Sequence, residues 1–159
     1  MIFIAAALTL AVFLPACGTQ SDDERRCSAI TKIAGDAQKM RYAKEWIASH
    51  LSDRRFREIL RKGRSFEHND YRIQEFGSLD WEFLGIPADF ASLDFNLVLN
   101  EAGQWDIDRI DSASLTVGRV SIIVRLGPGK GLGLDWPPEE LAKIRPVGED
   151  VFVYCGSAD

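Results

Sequence analysis

Three observations predict an α+β fold in which N-terminal helices pack on a mostly antiparallel sheet. Apolar residues recur at helical spacing between residues 27 and 51. From about residue 70 the apolar period shortens to two. A four-residue turn, Asn100-Glu101-Ala102-Gly103, then joins two alternating runs as a hairpin. The chain has 159 residues, of which 46% are apolar and 27% charged. Those are values of a globular domain, and they exclude both a disordered tail and a polytopic membrane protein. Nineteen Lys and Arg against 24 Asp and Glu give a net charge of −5. That sign argues against a broad nucleic-acid-binding surface.

Each element has its own local reason. Ser21-Asp22-Asp23-Glu24 is a capping box and opens the first helix. Cys27, Ile30, Ile33, Ala37, Met40, Ala43, Ile47 and Leu51 carry its apolar stripe, with Gly35 marking a kink. Ser52 is expected to cap a second, short helix through Phe56, Ile59 and Leu60, which Gly63 stops. Tyr71–Phe76 and Leu79–Leu84 alternate and read as strands. Leu93, Phe95, Leu97 and Leu99 share one face of a strand that pairs with Gln104–Ile110. Leu115–Leu126 reads as one long strand. Its apolar parity changes at Gly118, where a bulge would realign both sets with the core and turn Arg119, Ser121 and Arg125 outward. Residues 127–138 form a loop, Glu139–Ile144 a short helix ending before Pro146, and Val151–Cys155 a final strand.

The first sixteen residues, MIFIAAALTLAVFLPA, carry no charged side chain and fall short of the roughly 20 needed to span a bilayer as a helix. By composition they read as a secretory signal cut after Ala16, or as an apolar core segment. Leu14-Pro15-Ala16-Cys17 resembles the lipobox of bacterial lipoproteins. The resemblance implies a signal peptide over 1–16 and a lipidated Cys17 with its tether over 17–24. A single α+β domain over 25–159 follows. It also implies palmitate-type acyl chains on Cys17, two or three of which hold a protein on a bilayer where one chain does so only marginally. Gly18 in place of Asp points to the outer membrane of the cell envelope.

The chain has three cysteines, at 17, 27 and 155. Lipidation of Cys17 would leave Cys27 and Cys155 as a pair near the two ends of the mature chain, which often lie close in space. The competing reading is two separate buried thiols. No Cys-x-x-Cys and no close His pair is present, so no zinc site is expected.

Asn100–Ile110, with Gly103-Gln104-Trp105-Asp106-Ile107 at its centre, resembles the late hairpin of NTF2-like α+β domains. That resemblance covers some twenty residues and implies a curved sheet wrapped on a helix around a small-ligand pocket.

Charge is unevenly placed. Residues 65–111 hold eleven Asp and Glu and two Arg. Within them Asp106, Asp108 and Asp111 approach a calcium-loop spacing but lack its Gly and distal Glu, so a solvated strand face explains them. Residues 53–64 are the reverse: Arg54, Arg55, Arg57, Arg61, Lys62 and Arg64 against Asp53 and Glu58. Such a helix is either a solvated face balanced by the acidic sheet or a surface for an acidic protein, anionic lipid or cell-wall polyanion. Gly127-Pro128-Gly129-Lys130-Gly131 lacks the spacing and the Ser or Thr of a phosphate loop. There is no Gly-x-Ser-x-Gly, no His-Glu-x-x-His and no triad signature around His50 or His68, which argues against nucleophilic catalysis.

The expectation is an envelope lipoprotein, membrane-bound through Cys17, with a non-catalytic domain that binds a protein or envelope component. An immunity protein or inhibitor of a secreted enzyme fits that description. Its contact residues would be Arg54, Arg55, Arg57, Arg61 and Trp136, with no cofactor, metal or nucleic acid. An NTF2-like ligand carrier and a cell-wall or lipid hydrolase are the alternatives.

Overall fold

The computed structural model describes residues 21–67, 70, 76–99, 101–127, 131–134 and 136–156. Cys17, the apolar segment before it and residues 71–75 of the expected strand Tyr71–Phe76 lie outside the described residues, and Phe76 stands in a turn. N-terminal helices pack on a six-stranded antiparallel sheet, as the periodicity predicts.

Three helices come first: α1 (Asp22–Ala34), α2 (Ala37–Leu51) and α3 (Arg54–Lys62). The capping box opens α1: the Ser21 hydroxyl accepts from the Glu24 N–H, and the Glu24 carboxylate accepts from the Ser21 N–H. The expected kink at Gly35 is a full break, because Asp36 starts α2 by accepting from the Gln38 and Lys39 amides. Asp53, and not the expected Ser52, caps α3, accepting from the amides of Arg55 and Phe56. Ser52 instead closes α2, its N–H bonding to the Ala48 carbonyl.

The sheet is built from β1 (Ser65–Glu67), β2 (Ala91–Leu99), β3 (Trp105–Val117), β4 (Val120–Arg125), β5 (Ile144–Gly148) and β6 (Val151–Cys155). Its order is β1-β2-β3-β4-β6-β5. Two short helices interrupt it, α4 (Trp81–Leu84) and α5 (Pro138–Leu141). The expected strand over Leu79–Leu84 is therefore overturned. The Asp80 carboxylate accepts from the Phe83 N–H, Gly85 closes the turn at φ +76°, and Trp81 and Leu84, three apart, are both buried. The hairpin of β2 and β3 stands as expected, but its second strand runs on to Val117. Gly118 holds no bulge. At φ +63° it is the first residue of a two-residue turn between Val117 and Val120, which pair directly. The change of parity there is the chain reversing, so Leu115 and Ile122 end up on the same face.

The expected helix over Glu139–Ile144 is shorter, and a strand follows it. Pro146 is tolerated in β5 because β5 is an edge strand, where a missing N–H breaks no ladder. Ser121 is buried and not turned to solvent.

One apolar core fills the space between helices and sheet. Phe56 of α3, Phe66 of β1 and Phe95 of β2 are fully buried, with ring centroids 5.8–6.2 Å apart. α1 lies over β4, β5 and β6. There a disulfide joins Cys27 to Cys155, with 5.7 Å between their Cα atoms and 128 positions between them in sequence. The expected pairing is the one present.

Two measurements check this packing. Phe56→Ala should lower the unfolding free energy by about 3–5 kcal/mol in urea titration, the cost of an aromatic cavity; a loss under about 1 kcal/mol would contradict the packing described. Replacing Cys27 and Cys155 by Ala together should cost about 2–5 kcal/mol by the same titration, through the long loop that they close.

Candidate functional site

Hollows open on the described surface, and the residues singled out in the sequence are spread over them: three arginines line one, Trp136 another, and Cys27 and Cys155 a third. Arg54, Arg57 and Arg61, at helical spacing along α3, line a hollow of about 280 Å³ together with Glu58 and Asp108. Arg54 pairs with Glu58 one turn away, Nε to Oε1 at 3.2 Å, and Arg57 reaches Asp108 of β3 at 3.4 Å. Both pairs are exposed enough for solvent to weaken them, so each holds its geometry loosely. Among the described residues Arg61 makes no ion pair. The Nε of Arg57 is buried without a hydrogen-bond acceptor.

Asp108 reaches α3 because β3 is irregular there. Register shifts after Asn96 and after Leu97 leave residues 107–109 and 111 of β3 without direct partners on β2. The Asp108 N–H also bonds to the Asp106 carboxylate at 3.0 Å. This segment is thus not the plain solvated strand face that alternation implies. Among the described residues no group of His, Cys, Asp and Glu is arranged to hold a metal ion.

Arg55 points elsewhere, its guanidinium 5.9 Å from the centre of the Phe76 ring. Trp136 lines a separate hollow of about 320 Å³ with Arg64, Asp94, Asn96, Ser114 and Thr116. Its indole meets the Tyr154 ring edge-on, with centroids 4.7 Å apart. The structure therefore brings Arg54, Arg57 and Arg61 together, and places Arg55 and Trp136 apart from them.

A cleft of about 960 Å³ opens between α1 and the β5–β6 hairpin beside the Cys27–Cys155 bridge. Ser21, Asp23 and Glu24 stand on one wall, and Lys143, Arg145 and Val147 on the other. Its position at the first described residue is not visible in the sequence. Beside it, Glu140 accepts from the Lys143 ammonium at 2.8 Å and from the Tyr154 hydroxyl. These two hydrogen bonds, the lysine's foremost, hold the Glu140 carboxyl below the usual carboxylate range.

His50 is engaged by the fold. Its ring stacks on Trp46 at 3.8 Å, and its two nitrogens lie 2.6 Å from the Trp46 and Phe76 carbonyl oxygens. Ser49 Oγ is 3.1 Å from His50 Nδ1 but donates to the Trp46 carbonyl, and neither residue lines any of the hollows described above. His68 lies outside the described residues. Among the described residues no helix is long and apolar enough to cross a membrane.

The depressed Glu140 carboxyl carries a pH signature. Its stabilising contribution is complete above the ordinary carboxylate value of about 4.3 and is lost as pH falls through the lower folded value. The melting-temperature gap between the natural chain and Glu140→Gln should therefore narrow between about pH 6 and pH 3. A gap constant over that range would show that the carboxylate is not engaged.

No protein-family model matches the chain, and neither a curated protein nor a solved structure resembles it significantly.

Proposed function

We propose that this chain is an envelope lipoprotein whose domain binds an acidic protein through the arginine face of α3. The observation that carries this reading is the α3 hollow, where three guanidinium groups meet only two carboxylates, both loosely held. Guanidinium forks bond bidentately to carboxylates and are weakly hydrated, so a partner's Asp or Glu can displace Glu58 and Asp108 at small cost. A positive patch on a chain of net charge −5 also orients an approaching acidic partner before contact. An inhibitor or immunity protein for a secreted enzyme works in this way, by occupying a surface and catalysing nothing.

The anchoring half of the proposal rests on the lipobox resemblance at Leu14–Cys17. The first described helix starts at Asp22, and an extended chain covers at most about 3.6 Å per residue. A lipid on Cys17 would thus hold Ser21 within about 14 Å of its attachment point. The domain would ride close to the bilayer with α1 and the bridge on the near side, because both lie at the tethered end. The disulfide between Cys27 and Cys155 supports an oxidising compartment, where such bonds persist.

The test is capture from envelope extract by the detergent-solubilised full chain, compared with an Arg54→Glu/Arg61→Glu variant that leaves the buried face of α3 intact. The expected result is one acidic protein held stoichiometrically by the natural chain. Its retention should fall at least about tenfold in the variant and weaken with salt. Equal capture by both forms would overturn the arginine face as the contact. For the anchor, Cys17→Ser should move the chain from the membrane to the soluble fraction, and an unchanged membrane fraction would contradict lipidation.

A further inference from the structure

On β2 and β3 the outer face of the sheet carries polar side chains where the inner face is apolar, and β4 sets the buried Ile123 beside Ser114. Across β2 and β3 the polar side chains form paired rows: Asp94 opposite Ser114, Asn96 opposite Ser112, and Ser92 opposite Thr116. Such residues on a free sheet face would be solvated, yet Ser112 and Ser114 are buried, at 0% and 3% exposure. Part of the roof is the loop after β4. The Ser112 hydroxyl donates to the Leu132 carbonyl at 2.5 Å, and Gly133 packs against Asp111 and the Asn96 carbonyl. Beyond that roof the face opens into the 320 Å³ hollow, with Trp136 and Arg64 among its lining.

The hydrogen bonds of this face have a fixed direction. Both Asn96 amide protons are engaged, one with Ser112 Oγ at 2.9 Å and one with Ser114 Oγ at 3.0 Å. That leaves the amide oxygen as an acceptor. Ser112 gives its proton to Leu132, whereas Ser114 accepts from Asn96 and keeps its own proton to donate. The Asp94 carboxylate takes the Ser92 hydroxyl on Oδ2 at 3.0 Å, which leaves Oδ1 to accept. The floor thus offers one oriented donor and two oriented acceptors. The Trp136 indole is braced against Tyr154.

The geometry points to a sugar-binding site: the hollow takes one neutral pyranose ring of a glycan, with its C–H face against Trp136 and its hydroxyls on Asp94, Asn96 and Ser114. Charge selects neutrality. The lining sets one acidic residue, Asp94, against one basic residue, Arg64, and so carries no net charge. Vicinal hydroxyls donate and accept in alternation, which the fixed donor and acceptors match. The ring's C–H edges carry partial positive charge and meet the negative face of the indole. The volume stands at the lower end of small-molecule sites, roughly 300–1,000 Å³, which is room for one ring of a longer chain. Cell-wall glycan and surface polysaccharide share this chemistry.

The test uses the full chain in detergent against immobilised oligosaccharides of neutral hexose, N-acetylhexosamine and uronic acid, with isolated cell-wall glycan and surface polysaccharide as separate arms. A neutral sugar should bind with a Kd on the order of 1 mM or tighter. Ser114→Ala and Trp136→Ala should each weaken it at least about tenfold, and Trp136→Phe less. Melting temperatures identify any variant that fails to fold; Ser114→Ala and Trp136→Phe then carry the comparison. The site is overturned if the natural chain binds no neutral sugar, if it prefers uronic acids, or if both Ser114→Ala and Trp136→Phe bind as the natural chain does. Because the α3 arginines line a different hollow, none of these results bears on the acidic partner.

Discussion

The bridge between Cys27 and Cys155 ties the first helix to the last strand, and most of the fold lies inside the loop that it closes. It adds to a packed contact, since α1 also touches β4, β5, β6 and α2. Of the thirteen residues of that helix only Ile30 and Ala34 are buried, and its outward side is strongly polar. Ile33, partly buried, packs against the core beside them. The covalent joint adds to this packing by narrowing the unfolded ensemble, and so helps to keep α1 over β4, β5 and β6. The large cleft between α1 and the β5–β6 hairpin opens beside the bridge, along the side of α1 that carries Asp23, Glu24 and Thr31.

The sheet separates two kinds of chemistry. Its inner face supplies Leu93, Phe95, Leu115, Ile122, Val124 and Val153 to the core, where α2 and α3 bring Ile47, Phe56 and Leu60 against it. Burying Phe56 fixes the rotation of α3, and that rotation puts Arg54, Arg57 and Arg61 in one hollow. The outer face carries hydroxyl and amide side chains under a loop. One surface is organised by charge and the other by directed hydrogen bonds, so the proposed partners differ in kind and do not compete for residues.

Most of the architecture was legible in local signals. The Ser21–Glu24 box, the alternation of Leu93, Phe95 and Leu97, and the final run Val151–Cys155 each name their own structure, because cap and period act within a few residues. The misreadings share a cause. Six alternating residues at 79–84 also place Trp81 and Leu84 one helical turn apart, and the caps at Asp80 and Gly85 decided between the two. At Gly118 a parity change fitted either a bulge or a reversal, and only strand pairing distinguishes them. Pro146 hid a strand because its tolerance depends on β5 being an edge, a property of the whole sheet. At the candidate sites, the run of basic residues marked α3 as a charged face but grouped Arg55 with Arg54, Arg57 and Arg61, from which the structure separates it. That run could not predict Asp108 as their neighbour, which depends on the irregular register of β3. The burial of Ser112 and Ser114 was illegible for the same reason: alternation assigns a face, and a loop from elsewhere in the chain covers it.

The whole account turns on how the three thiols are divided. Peptide mapping by mass spectrometry of the chain isolated from cell membranes, without reduction, reads that division directly. The account predicts a cross-linked peptide pair containing Cys27 and Cys155, and an N-terminal peptide that begins at an acylated Cys17. Free thiols at positions 27 and 155, or an N-terminal peptide still beginning at Met1, would contradict it.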